Sequence, residues 1–298
     1  MRLKSSATRS GHDNLNGIAA AGAMGRPKIG ELLVESGELD ETDVRYVLDR
    51  QEESSRLFGE TCVDLGLSSP DTVRRALNKQ FSFEPLARGD DRVDPAVVTA
   101  FGLDPTMTEG LRSLRASLFG RQTSRGEFLA TIVLTGTGQA SSTSIFAANF
   151  AVVCAQLGQR VLLVDANFAD PVQHLLFRVP NRQGLTTLLS AGREETPAVA
   201  ETAIDRLSLL TAGPTVPNPA ELLEREPPCA RVRSTGARYD VILVDAGAQE
   251  PDIVAAIGAG SDGAVVVIER HRTAVGKVNR ILTHLANREV KGLGAVLV

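Results

Sequence analysis

The chain has 298 residues, with 32 Lys and Arg against 36 Asp and Glu, a formal net charge of −4 and a pI near 5.7. That balance excludes a protein that grips nucleic acid or an anionic membrane over its whole surface. The 43% apolar and 23% charged composition is that of a globular chain long enough for one large domain or two modest ones. Aromatic residues are scarce, with no Trp and two tyrosines, Tyr46 and Tyr239.

Residues 1–25, rich in Ser, Gly, Asn and Ala, predict a disordered tail. Arg2, Lys4 and Arg9 precede no apolar stretch, so no signal peptide is predicted, and no apolar run approaches the ~18 residues that cross a bilayer. Cys62, Cys154 and Cys229 form no Cys-x-x-Cys pair and suit the reduced thiols of a cytoplasmic protein. The four histidines show no metal-ligand spacing.

Residues 26–85 hold a repeat with an offset of 29. Gly30-Glu31 recurs as Gly59-Glu60, Val34 as Val63, Gly37 as Gly66, and Val44, Leu48 and Gln51 as Val73, Leu77 and Gln80. Each copy predicts two short helices, the first stopped by its Gly. The second is capped by Asp40 in one copy, and by Ser69 with Pro70 at the first helical position in the other. This small all-α module resembles the N-terminal domain of type II secretion and pilus-assembly ATPases, some of which bind cyclic di-GMP. The matching positions are Lys28, Ile29, Gly30, Glu31 and Arg56, Leu57, Gly59, Glu60. Glycines at such positions more commonly let helices pack, and protein docking is the expected role.

Residues 86–105 mix Pro, Gly and clustered acids and predict a linker with one short helix, Pro95 to Phe101. From residue 106 the pattern alternates. Helices are predicted over 109–119, 144–157 and 273–287; strands over 128–134, 161–164, 207–210, 241–244, 264–268 and 293–298. Continuous apolar strands separated by helices imply a parallel sheet covered on both faces, with function at the carboxyl ends of the strands.

Asp165 and Asp245 each follow four aliphatic residues, which places two carboxylates at that edge. Such groups hold Mg²⁺ or its waters, or simply cap the following turn. Upstream lies Thr135-Gly136-Thr137-Gly138-Gln139-Ala140-Ser141-Ser142-Thr143-Ser144, a Gly-rich connection between strand and helix of the kind that cradles phosphate. The phosphate-loop lysine is missing in either register. Counting from Gly136 puts Ser142 in its place; counting back from Asn149 puts Thr143 there and makes Ser144 the Mg²⁺-binding hydroxyl. Loss of that ammonium weakens anion binding and phosphoryl transfer.

Together these stretches resemble the cytoplasmic tyrosine-kinase domain of bacterial exopolysaccharide machinery, within the MinD/ParA-like P-loop ATPases. The resemblance covers roughly residues 106–298. It is carried by Glu109-x-x-Arg112-x-x-Arg115, Ala147-Ala148-Asn149-Phe150-Ala151, and Leu162-Leu163-Val164-Asp165-Ala166-Asn167 with Pro171. Asn181-x-x-Gly184-Leu185, Pro217-Asn218-Pro219-x-Glu221-Leu222-Leu223 and Tyr239-Asp240-Val241-Ile242-Leu243-Val244-Asp245 add to it. It implies ATP or ADP at Gly136, Gly138, Ser142, Thr143 and Ser144, and Mg²⁺ held through Thr143 or Ser144 with Asp165 and Asp245, the two catalytic carboxylates. It also implies homo-oligomer contacts through Glu109, Arg112 and Arg115. The implied partner is a membrane polysaccharide co-polymerase (a chain-length protein), with no nucleic acid, holding a cytoplasmic chain at the inner membrane face.

Four departures modify that expectation. The loop lysine is absent, Asn167 stands for a second acid, Ala246-Gly247-Ala248 replaces the usual Thr-Pro, and no tyrosine cluster follows the last strand. The reading is therefore a kinase-fold regulatory subunit, a pseudoenzyme with weakened or lost ATP binding. The alternatives are an active tyrosine kinase or ATPase, and a MinD-like positioning protein.

Overall fold

The computed structural model describes residues 28–53, 56–73, 76, 85–119, 130–138, 140–191, 196–235, 238–270 and 275–298. The predicted tail at 1–25 lies outside them. The chain divides into two compact units, residues 1–83 and 84–298.

In the first unit the 29-residue repeat is a repeat of structure. α1 (Ile29–Glu35) is copied as α3 (Phe58–Asp64). The Lys28 N–H donates to the Glu31 carboxylate at 2.9 Å and the Leu57 N–H to Glu60 at 3.2 Å, so both helices start with the same cap. Gly37 and Gly66 follow these two helices with φ of +73° and +69°, which a side chain would strain. Asp40 caps α2 (Glu41–Glu53) through the Thr42 and Asp43 N–H groups, and the Ser69 hydroxyl accepts the Thr72 N–H where the chain becomes helical again at 70–73. Leu32, Leu33, Val47, Cys62 and Val73 form the core. Gly30 and Gly59, the glycines among the residues that suggested a cyclic dinucleotide, serve this packing. A Cβ on Gly59 would lie 2.5 Å from Val73 Cγ1, one on Gly30 3.2 Å from Val44 Cγ1, and Arg56 is paired with Asp64. That ligand expectation finds no support in this unit.

The second unit is a seven-stranded sheet in the order β3-β4-β2-β5-β1-β6-β7. The strands are β1 (Thr131–Gly136), β2 (Val161–Asp165), β3 (Ala200–Glu201), β4 (Leu207–Leu210), β5 (Val241–Asp245), β6 (Gly263–Ile268) and β7 (Gly292–Leu297). All pairings are parallel except β3 with β4, an antiparallel edge that the sequence did not reveal, because two residues, one half-buried and one exposed, carry no periodicity. The side-chain period of two splits the strands between two cores. Ile132, Leu134, Leu163 and Leu243 face α4 (Pro105–Phe119) and α5 (Ala140–Gln156). Val133, Leu162, Val164, Ile242 and Val244 face the other side, where α7 (Leu185–Ser190), α8 (Pro219–Arg225), α9 (Pro228–Thr235), α10 (Pro251–Gly258) and α11 (Val275–Asn287) pack. The short α6 (Gln173–Leu176) follows β2.

Residues 86–105 are not a linker. Val93, Val97 and Ala100 are fully buried in the first of these cores, and a 3-10 turn over Val98–Phe101 lies across α5. This explains why α5 is apolar all round, with Ala147, Ala148, Phe150, Ala151, Val152 and Val153 buried between the sheet and that turn. Asn149 is the polar exception. Its Oδ1 accepts from the Thr99 N–H and hydroxyl, both at 2.9 Å, while its Nδ2 donates to the carbonyls of Ala96 and Ile145.

Asn149→Ala strands a buried N–H and carbonyl, so urea titration is expected to show a loss of about 2–4 kcal/mol. Gly59→Ala is expected to cost about 1–3 kcal/mol in the first unit, read by the same titration.

Candidate functional site

β2 and β5 are paired in register, Val161 to Val241 through Asp165 to Asp245, so the two carboxylates leave the sheet side by side. Both are wholly buried. Burial pushes the Asp165 carboxyl well above its ordinary range, and the neighbouring Asp245 charge pushes it further. Burial also raises Asp245, against the lowering effect of hydrogen bonds from Ser144, Gln173 and the Gly247 N–H.

Every carboxylate oxygen has a donor. The Asn167 N–H donates to Asp165 Oδ1 and the Gln173 N–H to Oδ2, each at 3.1 Å. The Gly247 N–H donates to Asp245 Oδ1 at 2.9 Å, and Gln173 Nε2 to Oδ2 at 2.7 Å. Gln173 Nε2 also donates to the Ser144 carbonyl at 2.9 Å, and its Oε1 is buried without a hydrogen-bond partner. Gln173 therefore bridges both acids and the start of α5. Sequence reasoning missed it, since a lone Gln in a four-residue helix gives no signal.

The loop after β1 is equally filled. Thr143 is buried, and a Cβ on Gly136 would collide with its Oγ1. Ser144, and not Thr143, supplies the hydroxyl bonded to Asp245. Ser142 is half-exposed; Gln139 and the side chains of Ala140 and Ser141 lie outside the described residues. A Cβ on Gly138 would run into the carboxylate of Glu269, which follows β6. Two of the sequence departures are one feature. Gly247, at φ +58°, leaves room for Asn167, whose amide would stand 2.5 Å from a Cβ there, and Asn167 Nδ2 donates to the Asp170 carbonyl. The Gly247 carbonyl in turn accepts the Gly136 N–H at 2.8 Å, which fixes the end of β1.

Magnesium takes about six oxygens at roughly 2.0–2.1 Å. Asp165, Asp245 and the Ser144 hydroxyl are oxygen donors of the kind it takes, but Gln173 Nε2 stands against Asp245 Oδ2 and backbone N–H groups meet the other carboxylate oxygens, so a bound ion would have to share or displace these donors.

Glu109, Arg112 and Arg115 are elsewhere. Arg112 pairs with Glu109 at 3.8 Å on α4, and Arg115 Nε donates to Gln159 Oε1 at 2.7 Å, beside the amino end of β2 and thus across the sheet from Asp165. Tyr46 is 46% exposed on α2 under the Arg50 guanidinium, and Tyr239 packs on the second core. No helix is long and apolar enough to cross a membrane among the described residues.

No family model matches the chain. The tyrosine-protein kinase YwqD of Bacillus subtilis is 33% identical over 174 residues, 57% of this chain and 72% of that protein. Among solved structures, the chimerical protein CapA2B2 matches with 25% identity and a TM-score of 0.59, over 68% of this chain and 89% of its own. The kinase domain of Escherichia coli tyrosine kinase ETK shares the fold, with 24% identity and a TM-score of 0.61 over 72% of this chain and 84% of its own. The chain belongs to the bacterial tyrosine-protein kinase family. Its sheet and helices are the P-loop α/β fold of that family.

A carboxyl with a raised folded-state pKa holds its proton to higher pH than the unfolded chain does, so Asp165 subtracts stability as pH climbs above about 4. Denaturant titrations at pH 4, 6 and 8 are expected to show the stability of Asp165→Asn gaining on wild type as pH rises; a constant gap would exclude the shift.

Proposed function

We propose that this chain is a regulatory, non-phosphorylating subunit of exopolysaccharide synthesis and export. It uses the tyrosine-kinase fold without the kinase reaction. The observation that carries the reading is the closed carboxylate pair: Gln173 and Ser144 already occupy Asp245, and the loop brings Thr143, not an ammonium, to Gly136. Phosphoryl transfer depends on cations that neutralise charge on the transferred group. With the Gln173 amide set against Asp245, where Mg²⁺ would be held, and a hydroxyl in place of the lysine, that stabilisation would be weakened or lost.

In this reading Asp165, Asp245 and Ser144 are structural descendants of a metal site. Partner binding is the output. The family resemblance supports a membrane polysaccharide co-polymerase as the partner, which would hold the chain at the cytoplasmic face of the membrane. Self-association would run through Glu109, Arg112 and the α4 surface, and the helical repeat unit would serve docking.

Calorimetric titration with Mg-ATP, alongside assays of ATP turnover and phosphotyrosine, tests this. Wild type is expected to bind Mg-ATP weakly and turn none over, and Thr143→Lys to bind at least tenfold more tightly. Asp165-dependent ATP hydrolysis or tyrosine phosphorylation by the wild type would overturn the proposal.

A further inference from the structure

The two edges of the sheet are unlike. β3 is two residues long, pairs antiparallel and carries Glu201. β7, at the other edge, has no charge and no proline from Gly292 to Val298, and these are the devices by which natural edge strands refuse further pairing. No described residue pairs with its outer side. A register shift at Ala264 and Val265 leaves Leu293 without a partner on β6, and from Gly294 onward the pairing is regular. Val298 donates its N–H to the Ile268 carbonyl and accepts the Arg270 N–H, both at 2.9 Å. These directions alternate along a strand, so the N–H and C=O groups of Ala295 and Leu297 point outward, away from β6. Apolar side chains gather at the same edge. Leu297 and Val298 are exposed, as are Leu282 and Val275 on α11. Leu282 reaches β7, its Cδ2 lying 3.1 Å from where a Cβ on Gly292 would stand. Helical spacing puts Val275, Asn279, Leu282 and Ala286 on one flank of α11, and none is charged. Lys277 and Arg280 lie on the other flank, against the loop after β1.

We propose that this edge pairs with the same edge of a second copy of the chain, β7 antiparallel to β7 about a twofold axis at Ala295, so that one sheet runs through both. In that register Ala295 opposes Ala295 of the second copy, outward groups against outward groups as an antiparallel ladder requires. Leu297 falls opposite Leu293, the residue that β6 leaves unpaired. The uncharged flanks of the two α11 helices meet over the join and cover Leu282 and Leu297. A twofold contact needs one surface that suits itself, and this one sets no like charges face to face along its length. The cost lies at its ends, where Lys291 comes near Arg270 of the second copy. The contact is distinct from the α4 surface, which packs on the opposite face of the sheet from α11. It is also independent of whether the chain transfers phosphate.

Sedimentation equilibrium of the full chain tests it. Wild type is expected to self-associate at about 100 µM, and Ala295→Lys, which sets two ammonium groups face to face, to weaken that association about fivefold or more. An equimolar mixture of Ala295→Lys and Ala295→Glu is expected to recover wild-type association, because only a twofold axis at this residue brings position 295 against itself. Ala295 is exposed and its N–H makes no bond to β6, so the variants keep the inner ladder, and circular dichroism confirms their folding. A monomeric wild type overturns the inference and leaves the edge to a strand of another protein. It is also overturned if Ala295→Lys associates as wild type does, or if the mixture associates no more tightly than its components. ATP turnover with the expected pattern intact would sink the regulatory reading and leave the paired edge standing.

Discussion

Two carboxylates that leave adjacent parallel strands at the same level, fully buried, form the constraint around which the second unit is arranged. Like charges in contact and out of water cannot both ionise cheaply. Donors must therefore be brought from several elements: the turns after β2 and β5, α6 through Gln173, and the start of α5 through Ser144. Gly247 serves the same end twice, through its N–H on Asp245 and through the space it leaves for Asn167. The changes that separate this sequence from the kinase pattern are thus mutually adjusted, and Asn167 with Gly247 makes a packed pair.

The loop after β1 has two unlike sides. The inner side, at Thr143 and Ser144, is turned toward the carboxylates and filled. The outer side, at Gly136 to Gly138, remains open and meets the cationic face of α11. The positive charge beside the loop comes from a helix some 140 residues downstream, not from the loop itself.

Local chemistry made much of the architecture legible. The repeat, its glycine stops and its Asp40 and Ser69 caps depend on neighbours within a few residues, and the structure has them as read. The apolar strands ending on Asp165 and Asp245 were equally plain. Residues 86–105 misled because Pro, Gly and acids resemble a linker. Their Val93, Val97 and Ala100 fall at helical spacing but in too short a stretch to announce a core, and only α5, apolar on every side, hinted that something must cover it. Asn149 was visible as part of a motif, but its role as the clamp on that segment was not.

The sequence by itself determined the element types, the repeat, the strand-end carboxylates and the absence of a loop lysine, because these follow from periodicity and short-range spacing. Tertiary structure decided what those residues do. The register of β2 against β5 sets the two acids side by side, and the return of the chain after β2 lays Gln173 across them. The packing of α11 brings Lys277 and Arg280 to the loop. Each is a contact between residues far apart in the chain, set by how the layers close on one another, and no local pattern encodes it.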